Sequence, residues 1–369
     1  MNKPSKIYSD TIEGGALDQY YETLKQPSVV QGALMPDAHK GYTAPIGSVF
    51  AVEGEIFPQI VGYDIGCGMS ALPLSCNVQT VKQKADEIFD RIYRDVPVGF
   101  NKHGSKQRWD GHKELLAKTT DGMQKRFVDK SGLQQIGTLG GGNHFIEIGA
   151  DENEDCWIII HSGSRGVGHA TATNYMKLAS PTGKASEGHF GFDVDSPDGL
   201  DYIKDLAFCL EFALQNRKLM IQKVANILMK LCKGKDDWSR FVNRNHNHAE
   251  LVGDRWIHRK GATHAENGMM GVIPGNMRDG SFIVRGKGNP DSMCSSSHGA
   301  GRVLGRKKAK EQLDIDQFKS TMSKVKAKVE KSTLDESPMA YKDIFEVMDL
   351  QKDLVEVVCH VKPMINIKG

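Results

Sequence analysis

Two kinds of apolar spacing alternate along the chain, and they predict where strands and helices lie. Continuous apolar runs are typical of buried strands, and they occupy residues 46–52, 156–160, 281–285 and 355–361. Apolar residues that recur every three or four positions are typical of helices, and they occupy residues 81–94, 115–127, 171–178 and 201–232. The last of these is long enough that we expect a kink or break near Gln215 and Asn216 before it stops at Gly234.

The segments between these elements predict how the chain is organised. Residues 182–199 are rich in Gly, Asp, Ser and Pro and are typical of a loop, whereas a polar helical stretch precedes Lys331. No internal repeat or low-complexity linker divides the sequence. We therefore expect an α+β fold, with one domain of mixed β-sheets and flanking helices over residues 1–369.

Composition excludes several classes of protein. The 369 residues are 39% hydrophobic and 25% charged, which excludes disorder as the main state. With 48 Lys+Arg against 46 Asp+Glu the net charge is +2, so any nucleic acid must be bound locally rather than by a general excess of cations. The sequence contains no membrane-length apolar run and no signal-like start, which predicts a cytoplasmic protein without a membrane partner. The seven scattered cysteines include no C-x-x-C pair, which disfavours disulfides and a Cys-rich zinc site.

Five side chains in four segments offer donor atoms for a metal. The candidates are Asp64 and Cys67 in a glycine-rich turn, His144 after three glycines, His161 after an apolar run, and His246. A thiolate, imidazoles and a carboxylate together suit Mn, Fe, Co or Zn better than Mg or Ca alone. Each segment also has a purely structural interpretation as a turn or a helix start, so the hypothesis requires that these residues meet in space.

Two further patterns point to phosphate chemistry. His298 is followed by Gly299 and precedes Arg302, and a neutral imidazole attacks phosphorus readily at pH 7 while an arginine offsets the charge on the transferred group. The glycines at 140–142 and the turn at 272–277 allow the backbone to approach a phosphate or a base closely.

Taken in order, these motifs resemble the RtcB-type RNA ligases. The matching segments are MPDAHKG at 35–41, PIG at 45–47, GYDIGCG at 62–68, GTLGGGNHFIE at 137–147, IIIHSGSRG at 158–166, HRKGAT at 258–263, SHGAGR at 297–302, AYKD at 340–343 and IKG at 367–369. On this basis the chain is identified as a short, bacterial-type member of that family. It departs from the common family pattern at Asn245, Asn276 and Ser297, where many members have His, Ser and Cys.

The resemblance implies roles for individual residues. Two Mn²⁺ ions would be bridged by Cys67, one completed by Asp64 and His144 and the other by His161 and His246. His298 would be the residue that GTP guanylylates. The implied guanylate pocket comprises Asn143, His144, Phe145, Ile146, Glu147, His246, Asn247, Pro274, Gly275, Asn276, Met277, Ser281, His298, Gly299, Ala300, Gly301 and Lys368. The candidates for RNA phosphate contact are Arg165, Arg259, Lys260, Arg302 and Arg306.

The implied reaction joins an RNA 3′-phosphate or 2′,3′-cyclic phosphate end to a 5′-hydroxyl end in RNA repair or tRNA splicing. It passes through a covalent histidine–GMP intermediate, and the need for an activating protein partner stays open. Two other hypotheses use the same residues. One is a dinuclear-metal phosphoesterase acting on RNA ends, and the other is a non-catalytic protein that binds RNA ends.

Overall fold

The structure, a computed structural model, describes residues 3–185 and 187–369. The strands are β1 (Ser5–Ile7), β2 (Val29–His39), β3 (Ile46–Val52), β4 (Glu55–Ile56), β5 (Gly68–Leu74), β6 (Phe145–Ala150), β7 (Cys156–Ser162), β8 (Phe192–Asp193), β9 (Val242–Asn245), β10 (Asn247–Val252), β11 (Arg255–Lys260), β12 (Ala262–His264), β13 (Met270–Pro274), β14 (Ser281–Gly286), β15 (Ser295–Ser297), β16 (Lys326–Ala327) and β17 (Val355–Lys368). The helices are α1 (Gly14–Leu24), α2 (Pro58–Val61), α3 (Val78–Gln83), α4 (Ala85–Asp95), α5 (His112–Leu116), α6 (Asp121–Asp129), α7 (Gly132–Gln135), α8 (Arg165–Ala179), α9 (Pro197–Cys232), α10 (Arg306–Gln312), α11 (Ile315–Thr321) and α12 (Ile344–Asp349).

Two large sheets form the framework. The larger runs in the order β13-β14-β17-β6-β7-β5-β9, with neighbours antiparallel, and β16 adds to β17 in parallel. Its first strand, β13, also packs against β5 and β9, so the sheet nearly closes on itself as a barrel does. The second sheet runs β1-β2-β3-β11-β10. With helices flanking both sheets, the predicted α+β class is confirmed.

Helix α9 organises one side of the larger sheet. It begins at Pro197 behind the cap residue Ser196, whose hydroxyl accepts a hydrogen bond from the Gly199 N–H at 3.1 Å. It packs against β5, β7 and β9, and the shared core includes Ile158 and Ile160 of the sheet. The predicted break near Gln215 and Asn216 is wrong, because the helix is continuous to Cys232. Beyond its first turn, the helix contains no Pro or Gly to interrupt the backbone hydrogen bonds.

Element boundaries differ from the sequence expectations where local signals were weak. The strands predicted at 46–52, 156–160 and 281–285 are β3, β7 and β14. The helix predicted at 81–94 is divided at Lys84 into α3 and α4, the one predicted at 115–127 is α5 and α6, and α8 begins six residues before the predicted start. The last strand, β17, continues through the tail to Lys368. In the predicted loop at 182–199, Ser186 lies outside the described residues.

Two further expectations concern the state of the cysteines and the presence of a membrane-spanning helix. All seven cysteines are free thiols, as the sequence predicted. Over residues 3–185 and 187–369, no helix combines the length and apolarity needed to cross a bilayer.

Candidate functional site

The predicted metal-binding residues meet at one edge of the larger sheet. Cys67 and His144 come directly before β5 and β6, His161 is near the end of β7, and His246 directly follows β9. These four strands are adjacent and antiparallel, so strand beginnings and strand ends alternate along the same edge. Sequence positions up to 179 residues apart, from Cys67 to His246, are therefore brought together by strand pairing alone.

The five side chains form a continuous row of donor atoms. The Cys67 sulfur lies 3.1 Å from Nε2 of His161 and 3.4 Å from Nε2 of His144. His161 Nε2 lies 3.2 Å from His246 Nε2, and His144 Nε2 lies 3.0 Å from the Asp64 carboxylate. The thiol and the three imidazoles are each at most 4% exposed. We refer to these five residues as the ligand row.

The protonation states of the side chains in the ligand row suit a bound cation. Burial lowers the pKa values of His144, His161 and His246, so their imidazoles are neutral. The Nδ1 atoms of His144 and His161 donate to the carbonyls of Leu139 and Asn143, which leaves both Nε2 lone pairs directed at the cluster. Burial and the Asp64 charge raise the pKa of the Cys67 thiol, and a metal would offset that effect by stabilising the thiolate. The donor set therefore fits a transition metal.

Two adjacent residues of α9 support the row from behind. Arg217 is fully buried, and its guanidinium donates to Gly66 O at 2.9 Å, Ser162 O at 2.8 Å and Asn245 Oδ1 at 2.7 Å. Each acceptor residue is next in sequence to a member of the row, namely Cys67, His161 or His246. Asn216 Nδ2 donates to Thr138 O, Ser162 Oγ and Gly163 O, each at 3.1 Å. Sequence reasoning missed this pair, although two polar residues on the apolar face of an amphipathic helix are a usable signal.

His298 lies at the His246 end of the row. Its ring centroid is 4.8 Å from that of His246. Its Nδ1 donates to Oδ2 of the fully buried Asp37 at 2.7 Å, and its backbone N–H donates to the same oxygen at 3.2 Å. The contact orients the ring with Nδ1 as the donor, so Nε2 is the nitrogen that can act as the nucleophile. Asp37 was also missed as a functional residue, although it belongs to the MPDAHKG motif.

A pocket opens beside His298, and most of the predicted guanylate residues line it. These are Asn143, Phe145, Glu147, Pro274, Gly275, Asn276, Met277, His298, Gly299, Ala300, Gly301 and Lys368. The walls also include residues that sequence reasoning did not assign to it, namely His39, Ile46, His161, Arg302, Tyr341 and Asn366.

The other predicted pocket residues lie behind or beside its walls. Ser281 donates its hydroxyl to Glu147 at 3.0 Å, and Asn247 bonds the backbone of Asp64 and Gly261. His144 and His246 belong to the ligand row. The side chain of Ile146 points into the core, because successive residues of a strand face opposite sides of the sheet.

Two buried carboxyl groups at this pocket have pKa values shifted in opposite directions. Burial raises the pKa of Glu147 to about 8, although Ser281 and Asn366 donate hydrogen bonds to it. Burial would do the same to Glu336, but Lys368 and Arg306 lower its pKa to about 2. The Lys368 ammonium lies 2.7 Å from Glu336, which fixes it at the pocket wall.

The five predicted RNA-contact cations are placed very differently. Arg165 packs on Gly140, where a Cβ would overlap its guanidinium and where φ is +87°, and its Nη1 lies 3.2 Å from His144 Nδ1. Arg302 and the half-exposed Arg306 are ion-paired with Glu336.

The remaining two cations are buried. Arg259 is 1% exposed and is paired with Glu250 and Glu266, so we exclude it from the residues that could reach a phosphate. Lys260 is also buried, and burial lowers its pKa to about 8.

Comparison with known protein sequences places this chain in a family. The sequence profile of the family described as "tRNA-splicing ligase RtcB" matches residues 19–369. The chain is 36% identical to RNA-splicing ligase RtcB of Escherichia coli (strain K12), with 100% of this chain and 98% of that protein aligned. It is 28% identical to tRNA-splicing ligase RtcB of Nanoarchaeum equitans (strain Kin4-M), over 100% of this chain and 96% of that protein. Since these matches extend over nearly the whole chain, the protein belongs to the RtcB family.

Proposed function

We propose that the protein is a GTP- and Mn²⁺-dependent RNA ligase that acts as one catalytic domain over residues 1–369. It joins RNA 3′-phosphate or 2′,3′-cyclic phosphate ends to 5′-hydroxyl ends. Family membership and the ligase names of its relatives support the ligase class. The observation that carries the chemistry is the arrangement of His298, oriented by Asp37 at 2.7 Å and placed beside a buried row of metal-binding side chains.

In the first step, His298 takes up the guanylate. Its Nε2 attacks the α-phosphorus of GTP, a P–N bond forms, and the P–O bond to pyrophosphate breaks. The Nδ1 proton stays on the ring, and the Asp37 carboxylate stabilises the positive charge that the imidazole develops. Two Mn²⁺ ions held by Asp64, Cys67, His144, His161 and His246 would supply Lewis-acid stabilisation of the phosphoryl oxygens.

The pocket beside His298 holds the nucleotide during this step. Glu147 and Ser281 provide polar atoms at the back of a pocket whose walls include Phe145, Pro274 and Met277, and this combination suits a planar base with a polar edge. Lys368 places a cation on the wall where phosphate charge can be offset. At Gly301, where φ is +76°, a Cβ would overlap the carbonyl oxygen of Asp37, so glycine lets the loop after His298 pack against the Asp37 segment.

The later steps transfer the guanylate to RNA. Any cyclic phosphate is first hydrolysed: water attacks the phosphorus, the P–O2′ bond breaks and a 2′-hydroxyl and a 3′-phosphate result. An oxygen of the 3′-phosphate then attacks the phosphorus held on His298 and releases the imidazole. The 5′-hydroxyl oxygen then attacks the RNA phosphorus, GMP leaves, and the hydroxyl proton passes to solvent. Arg165, beside His144, and Arg302, on the pocket wall, are the cations best placed for RNA phosphates.

The test is to incubate purified protein with Mn²⁺ and α-labelled GTP and then to run a denaturing gel. We expect a labelled band in the wild type and in His360→Ala, a histidine outside the site, and none in His298→Ala or Cys67→Ala. A second reaction with 3′-phosphate and 5′-hydroxyl RNAs should give a joined product. Phosphate release from RNA ends without a labelled band would instead identify a dinuclear-metal phosphoesterase. RNA binding without any turnover would identify a non-catalytic end binder.

A further inference from the structure

A second group of metal-binding side chains shares no residue with the ligand row. It consists of His248 and Glu250 on β10, His264 at the end of β12, and Glu266 shortly after it. Ligand atoms of the first three lie within 4.8 Å of one another, and a Glu266 oxygen lies 2.9 Å from Nδ1 of His264. We refer to these four residues as the second cluster. The proposed reaction uses none of them.

The spacing of the donor atoms in the second cluster fits one tetrahedral ion. The Glu250 carboxylate lies 3.9 Å from Nε2 of His248 and 3.6 Å from Nδ1 of His264. Zinc binds imidazole nitrogen and carboxylate oxygen at about 2.0–2.2 Å, which places the donor atoms of a tetrahedral site roughly 3.3 Å apart. The measured distances between neighbouring donors, from 2.9 to 3.9 Å, bracket this value.

The two imidazoles of the second cluster are spaced like those of the ligand row. The ring centroids of His248 and His264 lie 4.8 Å apart, compared with 5.1 Å for His144 and His161 and 5.0 Å for His161 and His246. Two rings that bind one ion at tetrahedral angles have centroids roughly 5 Å apart. The planes of His248 and His264 differ by 15°, and rotation about the Cβ–Cγ bond of the partly exposed His264 directs its Nδ1 at the ion.

The charges and the hydrogen bonds of the second cluster favour a cation. Burial would raise the pKa values of Glu250 and Glu266, but the neighbouring histidines and Arg259 lower them, so both carboxyl groups are ionised at neutral pH. Arg259 pairs with both carboxylates and balances only one of them. Among residues 3–185 and 187–369, the buried atoms Nδ1 of His248 and Oε2 of Glu266 have no hydrogen-bond partner. Buried polar atoms without a partner are a sign of a bound ion or water.

Arg259 can stay in place when an ion binds. Its Nε donates to Ser295 Oγ at 2.8 Å, and its Nη2 donates to Met293 O at 3.3 Å. Its Nη1 lies 3.2 Å from Nε2 of His248, so an ion on that nitrogen replaces this contact. The bonds to Ser295 and Met293 then hold the guanidinium beside the carboxylates.

We propose that the second cluster is a zinc site that fastens β12 to β10. Two imidazoles and two carboxylates are donors that Zn²⁺ takes in tetrahedral geometry. In the absence of the ion, Nδ1 of His264 donates to Glu266, and ion binding moves this hydrogen to Nε2 of the same ring. No proton is therefore released by this step.

The zinc site would also position the strand that carries His298. Strand β12 pairs with β15, with His264 opposite Ser295 and Ala262 opposite Ser297, and Ser297 directly precedes His298. An ion that joins β10 to β12 therefore limits the movement of β15 without touching a reacting atom. The site does not depend on the proposed ligase function, because its ligands take no part in that reaction.

Zinc binding can be counted directly. Full-length wild type and His264→Ala are dialysed against Zn²⁺, and the metal content per chain is measured by atomic emission. We expect His264→Ala to hold one zinc ion fewer than the wild type, and Cys67→Ala to keep the ion that His264→Ala loses. Glu266→Gln keeps the shape of the side chain and should weaken this binding at least about 10-fold, the lower end of what residues around a metal site contribute. The control is His360→Ala, at a histidine of β17 that is also partly exposed, which should bind zinc as the wild type does.

Two outcomes would contradict the proposal. Equal zinc content and affinity in the wild type, His264→Ala and Glu266→Gln would overturn the site and leave Arg259 as the cation that balances the second cluster. Hydrogen exchange tests the positioning role: zinc should slow exchange of the amides at 295–297 in the wild type but not in His264→Ala. Zinc bound at the second cluster with unchanged exchange at 295–297 would overturn that role.

Discussion

His298 is paired with the fully buried Asp37, and Nδ1 of the imidazole donates to Oδ2 of the carboxylate at 2.7 Å. The same oxygen accepts the backbone N–H of His298 at 3.2 Å, so a single carboxylate fixes both the ring and the backbone of this residue. Lys342 donates to the carbonyls of Pro36 and Ala38 on either side of Asp37 and holds that segment in place. The orientation of His298 thus depends on a residue 261 positions earlier in the chain.

The pair predicts that Asp37→Asn lowers the rate of His298 guanylylation at least about 100-fold, because the amide cannot stabilise a positively charged imidazole as a carboxylate does. The rate is measured from the appearance of labelled protein after mixing with GTP and Mn²⁺. Asp10→Asn, at an exposed carboxylate, is the control and should label normally. Normal labelling of Asp37→Asn would show that the pair serves only packing.

The ligand row predicts that a divalent metal stabilises the folded protein. A ligand that binds only the folded state raises stability in proportion to the logarithm of its concentration, and 100-fold excess over Kd gives about 2.7 kcal/mol. We expect saturating Mn²⁺ to raise Tm by about 5 °C in the wild type and to have little effect on Cys67→Ser. The measurement is thermal unfolding after chelation, with Mn²⁺ or Mg²⁺ added back. Equal stabilisation by both ions would contradict a thiolate-and-imidazole site.

The support from α9 predicts that metal affinity depends on Arg217, which touches none of the donor atoms. Arg217→Lys removes the guanidinium whose N–H groups bond to the Gly66, Ser162 and Asn245 segments. Residues that orient metal ligands typically account for about 10–100-fold in metal affinity. Titration of the apoprotein with Co²⁺, followed by its absorption bands, gives affinity and geometry independently of activity. Lys218→Met, at the exposed neighbouring position, is the control. Unchanged Co²⁺ spectra and affinity in a folded Arg217→Lys would contradict this role.

The contrast between these residues shows what the sequence can predict. Asp64, Cys67 and His298 stand in short motifs with glycines, so their chemistry is visible from residue type and spacing. Arg217 and Asp37 act through partners far away in the chain, and their roles emerge only when strand pairing brings those partners close. Arg259 shows the converse limit: a cation in the HRKGAT motif was expected to contact RNA, but the structure places it inside the protein, paired with Glu250 and Glu266.

The secondary structure shows the same division between features that a local pattern indicates and features that depend on distant contacts. Continuous apolar runs such as β3 and β7 were located within two residues, because burial on both faces leaves a clear pattern. Division of the helix at Lys84 was not foreseen, because no Pro or Gly marks it. The continuity of α9 was also not foreseen, since length alone suggested a break. Asn216 and Arg217 are polar at that point because they bond to the site loops, so they mark function rather than the end of a helix.

Glu147 predicts a specific dependence of stability on pH. Burial raises its pKa to about 8 in the folded protein, against 4.5 for an unperturbed glutamate. Between these pH values the folded state keeps a proton that the unfolded state has lost, so this residue's contribution to stability is full below pH 4.5 and is lost as the pH rises to about 8. Glu147→Gln keeps the shape of the side chain without the titration. Its unfolding free energy should therefore rise relative to wild type between pH 5 and pH 8, by no more than about 1.4 kcal/mol per pH unit.

Urea unfolding at a series of pH values gives this difference directly, and Glu114→Gln, at an exposed position on α5, provides the baseline for loss of a surface charge. A difference that grows with pH in Glu147→Gln alone would establish that the carboxyl group is protonated at neutral pH, where its neighbours Ser281 and Asn366 surround it. A constant or shrinking difference would mean that Glu147 is ionised in the folded state, with Lys368 as its counter-charge. An ionised carboxylate can accept both N–H donors of a guanine edge, so under the first outcome we expect nucleotide binding to release a proton, and under the second we expect no release.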